Sequence, residues 1–237
     1  MINNHRITPP FFELGPKAYS YGKDFVELAK FADQLSLEYD VRVIVTPQYV
    51  DIPIIAGETR NIFVFAQHMD SLEIGRGVGS VLPEAIKAAG ADGVLLNHVE
   101  KRLSMEELER VTRRAAEVEL MTMVCADNLD HAKQIAELLP EIIIVESPDL
   151  IESGKRSVSE IKQIMQINSV IQQISPDTLI LHGAGINNAQ DVYDVIAAGA
   201  QGTGSTSGVM LAQDRNKALK EMIESVHQAW INKKNKF

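Results

Sequence analysis

Cysteine occurs once in the 237 residues, at Cys125, so no disulfide can close within the chain and no thiolate cage is available for a metal. A reducing, cytoplasmic setting is expected. Positive charge is also short: 23 Lys and Arg stand against 32 Asp and Glu, a net charge of −9. The two signs are interleaved, so no basic face offers itself to a phosphate backbone and nucleic acid is not an expected partner. The opening Met1-Ile2-Asn3-Asn4-His5-Arg6 lacks an apolar core and is followed by Pro9-Pro10, which argues against a signal peptide or membrane anchor. His5, His68, His98, His131, His182 and His227 lack tight ligand spacing, which sets a metal hydrolase low. What remains is 45% hydrophobic and 23% charged, the balance of a soluble globular protein, in the length range that one α/β barrel fills as a single domain, residues 1–237.

Short aliphatic or β-branched runs alternate with longer amphipathic segments, the pattern of parallel strands under crossover helices. Eight runs centre on Phe11-Phe12, Val41–Val45, Ile62–Ala66, Gly93–Leu96, Met121–Cys125, Ile142–Val145, Thr178–Leu181 and Gly202–Ser205. Between them, Met105, Leu108, Val111, Ala115 and Val118 recur at helical spacing behind a Ser104/Glu107 capping box. Ser157 with Glu160 repeats that grammar ahead of Ile161, Ile164, Ile167, Ile171 and Ile174 on one face. A last helix runs through Leu219, Met222, Ile223, Val226 and Trp230. Nearly continuous apolar strands need cover on both faces, so eight βα units predict closure into a (β/α)8 barrel, with an open doubly wound sheet as the alternative.

Reactive groups in such a barrel project from the C-terminal ends of the strands. Polar residues there are Lys17, the stretch Asn97-His98-Val99-Glu100, Glu146, and two glycine-rich turns, Gly183-Ala184-Gly185-Ile186-Asn187-Asn188 and Gly202–Gly208. Paired glycine-rich loops after the seventh and eighth strands suit an anion, because backbone N–H groups and helix N-termini can point at it. Tight turns alone would also explain the glycines. Glu146 leaves a wholly apolar strand, where desolvation favours the neutral acid and a proton-abstracting base becomes chemically reasonable. Position alone does not separate that role from an ordinary ion pair, nor His98 from a structural histidine, nor Lys17 and Glu100 from a simple salt bridge.

Taken together, Lys17, Asn97-His98-Val99-Glu100, Glu146-Ser147-Pro148-Asp149-Leu150-Ile151 and Gly183-Ala184-Gly185-Ile186 resemble the motifs of the triosephosphate isomerase family, particularly its short archaeal-type form. Phe65-Ala66-Gln67-His68-Met69-Asp70, Leu82-Pro83-Glu84-Ala85 and Met121-Thr122-Met123-Val124-Cys125 extend the likeness across nearly the whole chain. The resemblance implies an isomerase of a small phosphorylated sugar, with Glu146 as base, His98 as neutral electrophile, Lys17 as electrostatic stabiliser, and Asn97 and Glu100 in support. It implies phosphate contacts at Ser153, Gly154, Gly185, Asn187, Ser207 and Gly208, no metal or organic cofactor, and a homo-oligomer, dimer or tetramer, packed through the connection from His68 to Gly79. Three departures stand out: Gly15 where the family has asparagine, Val99 where serine follows the histidine, and Glu152-Ser153-Gly154 where the lid reads Gly-Thr-Gly. They keep a tetrose phosphate isomerase, or a non-catalytic metabolite-binding barrel, open beside the triose reading.

Overall fold

A computed structural model describes residues 6–146 and 158–234, with backbone alone for 158–162 and 234. Eight strands alternate with helices: β1 (Phe11–Leu14), α1 (Gly22–Tyr39), β2 (Arg42–Val45), α2 (Ile52–Glu58), β3 (Ile62–Ala66), α3 (Pro83–Ala88), β4 (Gly93–Leu96), α4 (Met105–Glu117), β5 (Met121–Ala126), α5 (Leu129–Ala136), β6 (Ile142–Val145), α6 (Val158–Ile174), β7 (Leu179–Leu181), α7 (Ala189–Ala197), β8 (Gly202–Gly204), α8 (Ser207–Met210) and α9 (Arg215–Lys234). Each strand pairs in parallel with the next, and β1 closes on β8 with Phe11 opposite Gly202. The chain is a closed (β/α)8 barrel, which removes the open-sheet alternative.

Closure follows from burial on both faces of every strand. Alternate residues of β1 go opposite ways: Phe11 joins Ile44, Phe63, Phe65, Met123, Ile142, Ile144 and Leu181 inside the barrel, while Phe12 and Leu14 pack outward against the helices. The outer layer receives Phe25 and Leu28 of α1, Leu108 and Val111 of α4, Ile164 and Ile171 of α6, and Leu219, Ile223 and Val226 of α9. Each such side chain, fully buried, stabilises the fold by about 1.5–3 kcal/mol. No helix among the described residues is long and apolar enough to cross a membrane.

The predicted capping box at α4 is half formed. Ser104 Oγ accepts from the N–H of Glu107 at 3.2 Å. The Glu107 carboxylate does not reach back; it accepts from Ser71 Oγ at 2.7 Å and pairs with Arg110. The physical reason is competition: two charged or polar partners offer more than one exposed N–H, and the exchange ties the β3–α3 connection to α4. That connection is also fastened internally, Asp70 Oδ2 accepting from the N–H of Val81 at 2.7 Å. Of the second capping pair, Ser157 and the side chain of Glu160 lie outside what is described, as does the side chain of Ile161.

Candidate active site

The C-terminal ends of the strands enclose a cavity of about 540 Å³, and Lys17, His98, Glu100, Glu146, Gly185, Asn187 and Ser207 all line it. Lys17 and Ser207, 190 positions apart in sequence, therefore share one space, as barrel closure requires.

Lys17 sits in the turn after β1 with a left-handed backbone, φ 47°. A non-glycine residue adopts that conformation only when its surroundings hold it. Two amides do so: Gln48 Nε2 donates to the Lys17 carbonyl at 2.7 Å and Gln67 Nε2 at 3.0 Å, with Gln67 also donating to the Thr46 carbonyl at 2.9 Å. The ends of β2 and β3 thus fix where the lysine stem starts. Its tip is fixed by Glu100, Nζ to Oε1 at 2.7 Å, and that hydrogen bond holds the Glu100 carboxyl below its usual range.

His98 follows β4 by way of Asn97, another left-handed residue, φ 58°. The Asn97 amide donates to the Cys125 carbonyl at 2.9 Å and its Oδ1 accepts from the N–H of Leu103 at 3.0 Å. Asn97 is buried and does not line the cavity; its support is the shape of the turn. The N–H of Glu100 donates to His98 Nδ1 at 3.1 Å. Nδ1 is then an acceptor, so in the neutral ring the proton sits on Nε2. Burial, and next the nearby Lys17 ammonium, hold the His98 pKa below the usual value. An uncharged imidazole with an N–H donor is the result.

Glu146 leaves β6 with its own N–H donating to the Ala126 carbonyl at 2.9 Å. Its carboxylate lies against Gly183 at the end of β7: a Cβ there would stand 2.6 Å from Glu146 Oε1. A side chain at Gly183 would compete with the carboxylate for that space.

The turns after β7 and β8 are joined by Ser205 Oγ, which donates to the Ile186 carbonyl at 2.8 Å. Gly208 lets them approach, since a Cβ would come within 2.7 Å of Ser205 Oγ and 2.8 Å of the Asn187 carbonyl. Gly208 does not line the main cavity; it borders a neighbouring one with Asn187 and Ser207. The N–H of Asn187 is taken by Asp191 Oδ2 at 2.9 Å, whereas the first-turn N–H groups of α8 stand at the start of a helix. Ser153, Gly154 and Glu152 lie outside the described residues. Sequence reasoning missed Gln48, Gln67, Thr46 and Glu13, all of which line the cavity. Only Glu13 carried a signal, a charge inside the apolar run of β1.

Similarity to known proteins agrees with this geometry. The family model described as triosephosphate isomerase matches residues 17–226. A triosephosphate isomerase of Methanothermus fervidus is 39% identical over 218 residues, 90% of this chain and 97% of that protein. Those of Methanocaldococcus jannaschii and Sulfolobus acidocaldarius are each 36% identical, over 87% and 94% of this chain and 94% and 97% of their own lengths. With the family model matching residues 17–226 and likeness of that depth over nine-tenths of the chain, the chain belongs to the triosephosphate isomerase family.

Proposed function

We propose that the protein interconverts dihydroxyacetone phosphate and D-glyceraldehyde 3-phosphate, an intramolecular oxidation–reduction in which hydrogen moves between adjacent carbons without a cofactor. The observation that carries this reading is the shared cavity: Lys17, His98 and Glu146 reach it from the ends of β1, β4 and β6. Glu146 removes a proton from C1 of the ketose, giving an enediolate, and returns it to C2. Meanwhile the hydroxyl hydrogen passes from O1 to O2 by way of the His98 ring. His98 Nε2–H and the Lys17 ammonium stabilise the oxygen on which charge develops, and they need little reorganisation because Glu100 fixes both. A neutral imidazole suits the task, since an N–H donor of moderate acidity shares its proton with an enediolate oxygen more evenly than a charged ring does.

The phosphate rests between the turns after β7 and β8, at Gly185, Asn187, Ser207 and Gly208, with Ser153 and Gly154 contributing from the segment after Glu146. A homo-oligomer is supported by the β3–α3 connection, whose tip exposes Ile74 and Val78 at 75% and 108% of full accessibility. The buried free thiol of Cys125 suits a cytoplasmic setting. A coupled assay with purified, folded protein and either triose phosphate is expected to register turnover; none with either substrate sinks the assignment.

A further inference from the structure

Glu13 lies in β1 with the same parity as Phe11, so its side chain enters the barrel one layer above the phenylalanine and forms part of the cavity floor. The surrounding backbone has made room for it. A Cβ on Gly15 would stand 2.6 Å from Glu13 Oε1, and one on Gly204, its register partner in β8, 3.0 Å from Oε2 and 2.9 Å from the Glu13 Cβ. Oε1 accepts a hydrogen bond from Thr46 Oγ1 at 2.9 Å. Oε2 has no hydrogen-bond partner among the described residues, yet the side chain keeps an opening onto the same space as Lys17, His98 and Glu146. A carboxyl oxygen on the wall of this cavity, with no protein partner of its own among the described residues, is available to what the cavity binds.

We propose that Glu13 is a substrate-contacting residue of this isomerase, its carboxyl O–H donating from Oε2 to a sugar oxygen beside the reacting carbons. The inference rests on the isomerase reading of the cavity given above. Burial favours the acid form of Glu13, and the groups that face it pull in both directions. Burial raises its pKa, the Thr46 hydrogen bond lowers it, the Glu146 carboxylate on β6 raises it and the Lys17 ammonium lowers it, leaving it at about 7. The Cys125 thiol on β5 is held protonated, by burial first and then by the Glu146 and Glu13 carboxylates, and so adds no charge. As a neutral acid, Glu13 supplies a third donor toward the enediolate beside His98 and Lys17. Once ionised, it sets a like charge against both the phosphate ester and the enediolate, and transition-state binding weakens.

The test is kcat/KM for dihydroxyacetone phosphate from about pH 5.5 to about 9 in wild type, Glu13→Gln and Glu13→Ala. Wild type is expected to lose efficiency as pH rises through about 7. Glu13→Gln, which keeps an N–H donor and cannot ionise, should retain kcat/KM within about tenfold at pH 6 and lack that loss. Glu13→Ala should fall by about 10- to 1,000-fold at pH 6, as when an oxyanion donor is removed. An unchanged alkaline loss in Glu13→Gln overturns the proposal, as does a folded Glu13→Ala with wild-type efficiency. Should Glu13→Ala fail to fold, the Glu13→Gln profile decides alone. An inactive wild type overturns the isomerase assignment and this inference with it, whereas an active wild type with an unmoved Glu13→Gln limb overturns only the inference.

Discussion

A histidine whose ring nitrogen accepts a backbone N–H has already chosen where its proton sits. For His98 that choice leaves Nε2–H available to the cavity, and burial with the Lys17 cation keeps the ring uncharged. The sign of the pH effect follows. The folded pKa is depressed below the value of 6.5, so His98 favours the folded state above that pH and ceases to do so as pH falls through its folded pKa. Nitrogen NMR of the labelled protein at about pH 6.5 is expected to show one neutral His98 ring protonated at Nε2; a charged ring, or a proton on Nδ1, contradicts the tautomer. At this scale the sequence was partly readable. Glu146 directly follows an apolar run and His98 follows one across Asn97, and the resemblance supplied the roles that position left open. Glu13 escaped because only barrel parity distinguishes an inward carboxylate from an outward one, and parity becomes visible only once β1 is paired with β2 and β8. Its partner observation was in view: Gly15 lacks the amide that the resemblance leads one to expect, and the structure puts the Glu13 carboxyl against that space.

Elements act here by the spacing they impose on side chains they do not carry. β7 delivers Gly183, whose missing Cβ gives room to a carboxylate belonging to β6. Gly183→Ala is expected to push Glu146 out of line and reduce kcat by about 100-fold, the scale set by a misplacement of roughly 1 Å, while KM and thermal stability change little. Steady-state kinetics with a thermal melt checks this; an unchanged kcat would mean that the carboxylate's position tolerates the shift. All eight strands were legible as runs, because burial on both faces leaves them few polar residues, Glu13, Thr122 and Thr203 among them. The long helices α4, α6 and α9 were legible by period. The Gln48 and Gln67 clamps on the Lys17 carbonyl were not, since an amide that satisfies a distant main-chain oxygen leaves no pattern in its own neighbourhood. The capping box misled by half for a related reason: Ser71, 36 residues away in sequence, outcompetes the local N–H for Glu107.

At the scale of the whole molecule, closure gathers the ends of distant strands into one site, and among the described residues the β3–α3 connection carries an exposed apolar tip. Ile74 and Val78 at the tip of the β3–α3 connection are apolar and largely uncovered, while its base is anchored through Ser71, Asp70 and Arg114. A rigid base with an apolar tip suits insertion into another copy of the chain. Sedimentation of the protein is expected to give a mass above the 26.2 kDa of one chain, and Ile74→Asp with Val78→Asp to shift it toward that value. A wild type that sediments as a monomer at micromolar concentration removes this interface. The resemblance had pointed to the connection from His68 to Gly79, whereas composition alone did not, because two exposed aliphatic residues are ordinary until their setting on an anchored projection is known.

On the proposed reading, Glu146 transfers the proton while the rest of the cavity holds charge and substrate in place. Deuterium incorporation at the carbon beside the carbonyl of dihydroxyacetone phosphate in heavy water, compared between wild type and Glu146→Gln, reads that transfer. Wild type is expected to exchange that hydrogen during turnover, and Glu146→Gln to slow both exchange and isomerisation by at least about 100-fold with an unchanged melting profile. Exchange at the wild-type rate in the folded variant would contradict the account.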